Sequence, residues 1–303
     1  MLLALVGPTA SGKTEAGIAL AQSLGAEILS VDSMLVYRGM DVGTAKPSAD
    51  ERRGVRHHLI DLADPSERFT VARYQALARK AEEEVRGRGV RPLLVGGSGL
   101  YFRAIVDDLA FPGEDPKVRQ ELEREAATAG VGPLFRRLVD SDPVAASKIE
   151  AGNVRRIVRA LEVPALTGRP FSAFAEAWES YDAERVRAAG VRIAPVVLRE
   201  RIERRVRSML DAGWLEEVRS LVERGFGPWL TSSQAIGYSE LARHLAGSLS
   251  TDEAVEETVR RTKELARRQA AWFRRDPRIR WFDTGAGGAM DAVDGVRAYL
   301  EAG

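Results

Sequence analysis

Cysteine is absent from the 303 residues, so the chain offers no disulfide framework, no thiolate metal site and no thiol nucleophile. That absence suits a reducing cytoplasm, the compartment we expect. Histidine is scarce: His57, His58 and His244 lack the spacing of a metal site and read as structural or surface residues. No apolar run approaches the ~18 residues that a membrane-spanning helix needs. The opening run Leu2–Val6 is broken by Gly7-Pro8 and has no basic residue ahead of it, so neither membrane insertion nor secretion is expected. An excess of either charge is missing too. Lys and Arg number 45 against 44 Asp and Glu, which excludes a uniformly basic coat for nucleic acid and leaves local patches to be found by position.

What is present is the balance of an ordinary globular enzyme, and single cores stop growing near roughly 250–300 residues, so two unequal domains are expected. Residues 2–6 read as a short buried strand, 15–24 as a helix and 26–31 as a second strand, a βαβ beginning. A long amphipathic helix follows the N-cap Thr70, with Val71, Tyr74, Leu77, Ala78, Ala81 and Val85 on one face. It ends at 87–89, and 92–95 form a third buried strand stopped by Gly96-Gly97. Between about 111 and 190 the chain turns charged and helical, with helices at 116–129, 131–139 and 153–166. Residues 191–198 read as a strand returning to the sheet. A capping box from Ser250 to Glu253 opens a helix running to about 275, and 279–282 close a last strand before a C-terminal helix. The expected fold is α/β, with a mostly parallel sheet flanked by helices and a smaller all-helical insertion. The core would comprise residues 1–111 and 191–303, and the insertion residues 112–190.

Gly7-Pro8-Thr9-Ala10-Ser11-Gly12-Lys13-Thr14 matches G-x-x-x-x-G-K-[ST], directly after a strand and directly before a helix. In a P-loop of this kind the glycines let backbone amides turn around anionic oxygens, the helix N-terminus and Lys13 add positive charge, and Thr14 offers a hydroxyl to Mg²⁺. The pattern leaves open whether the anion belongs to a nucleoside triphosphate or to another diphosphate. Asp32 ends the second strand, at the sheet edge where α/β proteins bind ligands. It either caps the turn, reaches Mg²⁺ through water, or accepts a proton. Lys46, in Gly43-Thr44-Ala45-Lys46-Pro47, is either a solvated or a site cation. Ser98, after the third strand, is an N-cap, a ligand to the substrate, or both.

Charge is locally concentrated although the total is neutral. Between 258 and 280 there are nine Lys or Arg against two acidic residues, with Trp272 and Phe273 interleaved, and Arg155, Arg156 and Arg159 form a second cluster. These stripes are either solvated helix faces or the walls of a groove for a polyanion.

In this order the motifs resemble the tRNA dimethylallyltransferase family, also called tRNA isopentenyltransferase, in its bacterial form. The resemblance runs from the loop at 7–14 through Asp32-Ser33-Met34-x-Val36-Tyr37-Arg38, 43–47 and 95–101. It continues through Asp142-Pro143, Asn153-x-x-Arg156-x-x-Arg159, Arg205-Val206-x-x-Met209-Leu210, Ala235-Ile236-Gly237-Tyr238 and Arg268-Gln269-x-x-Trp272. It implies transfer of a dimethylallyl group from dimethylallyl diphosphate to N6 of the adenine immediately 3′ of the anticodon, with Mg²⁺ as cofactor. It also implies a monomer whose insertion clamps the anticodon stem-loop. Lys13, Asp32, Ser98 and Arg205 would be catalytic, with Asp32 taking the amine proton and Arg205 contacting diphosphate. The resemblance places tRNA contacts at Asp32, Ser33, Met34, Leu35, Ser98, Arg155, Arg156, Arg159, Gln234, Gly237, Tyr238, Arg267, Arg268, Trp272 and Arg274.

Three positions depart from the family pattern. Leu35 stands where many members have Gln, so no side-chain amide is offered to the flipped adenine there. Ser98 replaces Thr and keeps the hydroxyl, and Lys263 replaces Arg and keeps the charge without its fork. Two rival readings use the same loop: a P-loop kinase of a small molecule or nucleotide, and a non-catalytic RNA-binding P-loop module. The kinase leaves the basic C-terminal half without a role, and Asp32 beside the loop argues against the binding module.

Overall fold

The computed structural model describes residues 1–107, 109–174, 178, 180–227 and 231–302. It divides into two compact units, one formed by Met1–Val106 with Asp182–Gly303 and the other by Asp107–Tyr181.

The first unit is built on a six-stranded sheet of β1 (Leu2–Val6), β2 (Ala26–Val31), β3 (His57–His58), β4 (Arg91–Gly96), β5 (Val186–Ile193) and β6 (Ile279–Thr284), in the order β3-β2-β4-β1-β5-β6. Every strand pair is parallel, with Leu3 opposite Leu93, Leu2 opposite Val186 and Ala188 opposite Ile279. Parallel strands need crossovers, and helices supply them on both faces, so the central strands are apolar on both sides. Leu3, Leu5, Ile28 and Leu93 pack against α1 (Lys13–Leu24) and the C-terminal helix, while Leu2, Ala4, Val6, Leu29 and Leu94 are buried on the opposite face. That face carries α2 (Val71–Gly87) and α3 (Gly99–Val106). Each such leucine stabilises the fold by roughly 1.5–3 kcal/mol relative to exposure.

The second unit holds α4 (Pro116–Ala129), α5 (Val131–Ser141), α6 (Pro143–Lys148) and α7 (Val154–Thr167), packed on Leu122, Leu134, Leu138, Ile149, Ile157 and Val158. Three of its helices start on side-chain caps: Asp115 accepts from the Lys117 amide at 2.8 Å, Asp142 from Ala145 at 3.0 Å and Asn153 from Arg156 at 3.2 Å. In the first unit α8 (Pro195–Asp211), α9 (Trp214–Glu223), α10 (Tyr238–Leu245) and α11 (Thr251–Phe273) follow β5, and α12 (Val293–Glu301) closes the chain. The capping box of α11 forms as its sequence requires: Ser250 Oγ accepts from the Glu253 amide at 3.2 Å and Glu253 Oε2 from the Ser250 amide at 2.7 Å. Among the described residues no helix is long and apolar enough to cross a membrane.

Two boundaries differ from the sequence reading. The strand expected at 191–198 is Val186–Ile193, and Pro195 instead opens α8. The run Ala188-Ala189-Gly190 carries little side-chain pattern. It is strand because β1 on one side and β6 on the other need small residues there, and a Cβ on Gly190 would sit 2.6 Å from Ile279. In consequence the helical unit spans Asp107–Tyr181, where 112–190 was expected, and the core spans the two flanking segments, where 1–111 and 191–303 were expected.

Candidate functional site

The carboxyl ends of β1, β2 and β4 open into one cavity of about 1060 Å³. Its walls carry Lys13 and Thr14 at the head of α1, Asp32 and Leu35 after β2, Gly97 after β4, and Arg201, Arg204, Arg205, Ser208 and Met209 from one face of α8. The loop 7–14 turns tightly: Ala10 and Gly12 take φ of 61° and 86°, and only the glycine does so without strain.

Lys13 is buried. Its Nζ donates to Pro8 O at 2.5 Å and to Ser11 Oγ at 3.3 Å. Burial, helped by the nearby Arg205 guanidinium and opposed by Asp32, lowers its ammonium to about 7. Arg205 is also drawn below its ordinary range by burial, with Asp32 pulling the other way, and its Nη2 donates to Thr44 O at 3.4 Å. Two basic groups and one carboxylate therefore face one cavity, an arrangement that suits an anionic ligand.

Asp32 fills the first of the roles its position allows and stays on the cavity wall. Oδ1 caps the turn by accepting from the Met34 amide at 2.8 Å, and the side chain still lines the cavity. Ser98 takes the N-cap position of α3, its Oγ accepting from the Tyr101 amide at 3.4 Å. Ser33, Met34 and Leu35 are half-buried beside Asp32. Around them Tyr74 and Tyr101 stack with centroids 3.8 Å apart, and burial, with Asp32 adding, raises both phenols, which therefore stay neutral.

α11 reaches this edge with two side chains one turn apart. Gln269 Oε1 accepts from the Thr9 amide at 2.8 Å, and the Trp272 indole, 44% exposed, lies against Gly99, where a Cβ would sit 2.0 Å from its ring. Arg267 and Arg268 are exposed on the same helix, Arg274 is exposed just past its end, and Gln234 is exposed before α10. In the helical unit Arg155 and Arg156 are exposed at the start of α7.

Several expected contacts are not available. Tyr238 is fully buried with its hydroxyl donating to Glu217 Oε1 at 2.6 Å, and Gly237 lies under the Trp214 ring, so neither is presented at the surface. They hold a loop instead: Glu217 accepts the amides of Asp41 at 2.7 Å, Val42 at 2.8 Å and Gly43 at 3.2 Å. Gly43 is required there, because a Cβ would fall 1.9 Å from Trp214 Nε1. Arg159 is likewise engaged, donating to Pro112 O at 2.5 Å, Gly113 O at 2.9 Å and the buried Glu162 at 2.7 Å, which Arg119 also pairs. Spacing alone cannot separate such an arginine from an exposed one. Lys46 turns out structural, its ammonium held by Tyr37 O, Asp41 and Asp61. Pro8 has no amide and the Thr9 amide is taken by Gln269, so the amides left to face an anion are those further along the loop. Lys263 pairs with Glu203 at 2.6 Å, joining α11 to α8.

Arg201, Arg204 and Ser208 are cavity residues that the sequence reading passed over, and Gln269, quoted there within a motif, was given no role. Arg201 lies one turn before Arg205 and shares its face of α8, a signal the helical spacing carried. Among the described residues no group of three His, Asp or Glu is placed to hold a metal. The exposed Thr14 hydroxyl with Asp32 across the cavity fits Mg²⁺, which takes few protein ligands and completes its shell with phosphate oxygens and water.

A wholly parallel, helix-covered sheet with a glycine-bounded loop and a buried lysine at its carboxyl edge defines an α/β enzyme of the anion-handling class. The profile of the family described as IPP transferase matches residues 35–276, and the chain belongs to that family. It is 49% identical over 300 residues to the tRNA dimethylallyltransferase of Streptomyces coelicolor, covering 99% of this chain and 94% of the relative. It is 47% identical over 302 residues to that of Desulforudis audaxviator, covering 99% and 97%. Among solved structures, the tRNA isopentenylpyrophosphate transferase of Bacillus halodurans superposes with a TM-score of 0.70 at 40% identity, covering 99% of this chain and 96% of that one. A eukaryotic dimethylallyltransferase acting on tRNA gives 0.77 at 25% identity, covering 93% and 73%.

Proposed function

We propose that the protein is a tRNA dimethylallyltransferase, moving the dimethylallyl group of dimethylallyl diphosphate to N6 of the adenine 3′ of the anticodon and releasing diphosphate. The observation that carries this reading is the convergence of Lys13, Arg205 and Asp32 on one cavity in a chain of this family. The bond between the allylic carbon and the diphosphate oxygen breaks with its electron pair going to diphosphate. Lys13, Arg205 and the loop amides stabilise that developing charge. N6 attacks the same carbon, and because an exocyclic amine is too weak an acid to ionise first, its proton passes late to Asp32. Mg²⁺ held by Thr14 would add its charge to that of the two cations on the leaving group. The target base is extruded from its loop to reach Asp32, with Ser98 and the turn at 33–35 around it. Leu35 offers it an apolar contact, so hydrogen bonding to the base falls to backbone groups and to Ser98. Arg267, Arg268, Trp272, Arg274 and Gln234 on the core, and Arg155 and Arg156 on the helical unit, contact the RNA backbone and neighbouring bases. The enzyme acts as a monomer in the cytoplasm.

The test offers an anticodon stem-loop with radiolabelled dimethylallyl diphosphate or with γ-labelled ATP, in the presence of Mg²⁺. Label enters RNA only from the prenyl donor; phosphate transfer from ATP without prenylation would mean a kinase. Asp32→Ala lowers kcat by about 100- to 10,000-fold, the usual worth of a positioned base, with RNA affinity retained. Near-normal turnover in that variant would remove the general-base role.

A further inference from the structure

Arg201, on the cavity wall, also grips the backbone of the loop that faces the anion. Its Nε donates to Ala10 O at 2.9 Å and its Nη1 to Ala286 O at 2.8 Å, while Nη2 lies 3.2 Å from where a Gly12 side chain would begin. A second support follows immediately in the chain, where the Ala289 amide donates to Ser11 O at 2.8 Å. In a trans peptide the carbonyl and the next amide point in opposite directions. With Ala10 O drawn to Arg201 and Ser11 O to Ala289, the Ser11 and Gly12 amides are turned to the opposite side of the loop. Ala10 adopts this arrangement in the left-handed region, which an L-residue occupies at a cost of about 1–2 kcal/mol unless its surroundings hold it there. The segment that supplies Ala286 is itself tied, since Asp291 Oδ2 accepts the Gly285 amide at 2.9 Å and the Gly287 amide at 3.1 Å.

We infer that Arg201 is a positioning residue for the donor's diphosphate, acting through the Ala10–Ser11 peptide and braced by the segment after β6. The inference rests on the reading of the loop as the diphosphate site. Arg205 and Lys13 bring charge to the anion; Arg201 brings the geometry of the amides. The segment at 285–289, far from the loop in sequence, becomes part of donor binding.

The experiment measures inorganic diphosphate binding by calorimetry and steady-state kinetics for wild type, Arg201→Gln, Arg201→Lys and Asp291→Ala. Arg201→Gln raises the Kd for diphosphate and the KM for dimethylallyl diphosphate at least 10-fold, leaving the KM for the stem-loop within 2-fold. Arg201→Lys recovers less than half of that loss on a logarithmic scale, because one ammonium cannot bracket two carbonyls in the fork geometry. Asp291→Ala, which touches neither the loop nor the cavity, shifts the same two constants about 3-fold. Full recovery by lysine would mean that Arg201 supplies charge alone and would overturn the inference. Equal binding by wild type and Arg201→Gln would overturn it while sparing the diphosphate site. A wild-type protein that does not bind diphosphate would overturn both.

Discussion

At the residue scale the decisive group is Lys13. Burial and Arg205 hold its ammonium near 7 against the pull of Asp32, so above that pH much of the population carries no charge there. An arriving diphosphate favours the charged form and raises the pKa again. Binding at pH 8 is therefore linked to proton uptake at Lys13, and the lysine's contribution falls as pH rises through 7, by at most about tenfold per unit for one proton. Calorimetry at pH 8 in buffers of different ionisation enthalpy should show wild type taking up close to one proton more than Lys13→Met. At pH 6.5 the variant should bind about 10- to 100-fold more weakly, the worth of a charge-assisted hydrogen bond of roughly 1.5–3 kcal/mol. An equal uptake in both proteins would mean that the protons come from the ligand alone. Asp32 makes a complementary point: one carboxylate oxygen shapes the turn while the residue remains on the cavity wall, so the turn cap leaves room for the proposed proton transfer.

At the scale of elements, α8 and α11 carry the site between them. α8 lines the cavity along the face 201, 204, 205, 208 and 209, the spacing of one helical stripe, and Ala212 just past its end continues it. α11 turns Gln269 and Trp272 toward the loops after β1 and β4 and leaves Arg267 and Arg268 exposed, with Arg274 exposed just past its end. If those arginines meet phosphates, the double variant Arg268→Glu with Arg274→Glu weakens stem-loop binding and lowers the slope of log affinity against log salt by about one per lost contact. Filter binding at several salt concentrations measures both, and an unchanged slope would place the RNA elsewhere. Arg159 belongs to a different category despite its place in a basic cluster. Its guanidinium is spent on Pro112, Gly113 and Glu162, so it holds α7 to the segment before α4.

At the scale of the whole molecule, two separate cores make two stability problems. Leu138 is fully buried in the helical unit, and Leu138→Ala should destabilise that unit by about 2–5 kcal/mol. Hydrogen exchange should quicken across 107–181 while β1 and β4 keep their protection and diphosphate affinity stays unchanged; loss of protection in both would show a single cooperative body. The strand–loop–helix at the N-terminus, the capped α2 and α11, the apolar central strands and the helical insertion were all readable in the chain, because each is specified by residues within a turn or two of one another. Lys13, Asp32 and Ser98 were singled out the same way, from contiguous residues at strand ends, while Arg205 came from the resemblance alone; Lys13, Asp32 and Arg205 line one cavity in the fold. What local pattern could not reach was pairing. β5 is a strand at 186–193 because β1 and β6 flank it, although its Ala-Ala-Gly centre carries no period of its own. Tyr238, Gly237 and Arg159 look like contact residues in sequence and become supports once Glu217, Trp214 and Glu162 close around them. Arg201 gains its place only when the segment after β6 arrives beside the loop after β1. Short-range order fixes which groups exist and on what element; packing decides which of them remain exposed, because burial and hydrogen-bond commitment depend on the partners it brings up, from a few positions away for Arg159 and Glu162 to 191 for Arg201 and Ala10.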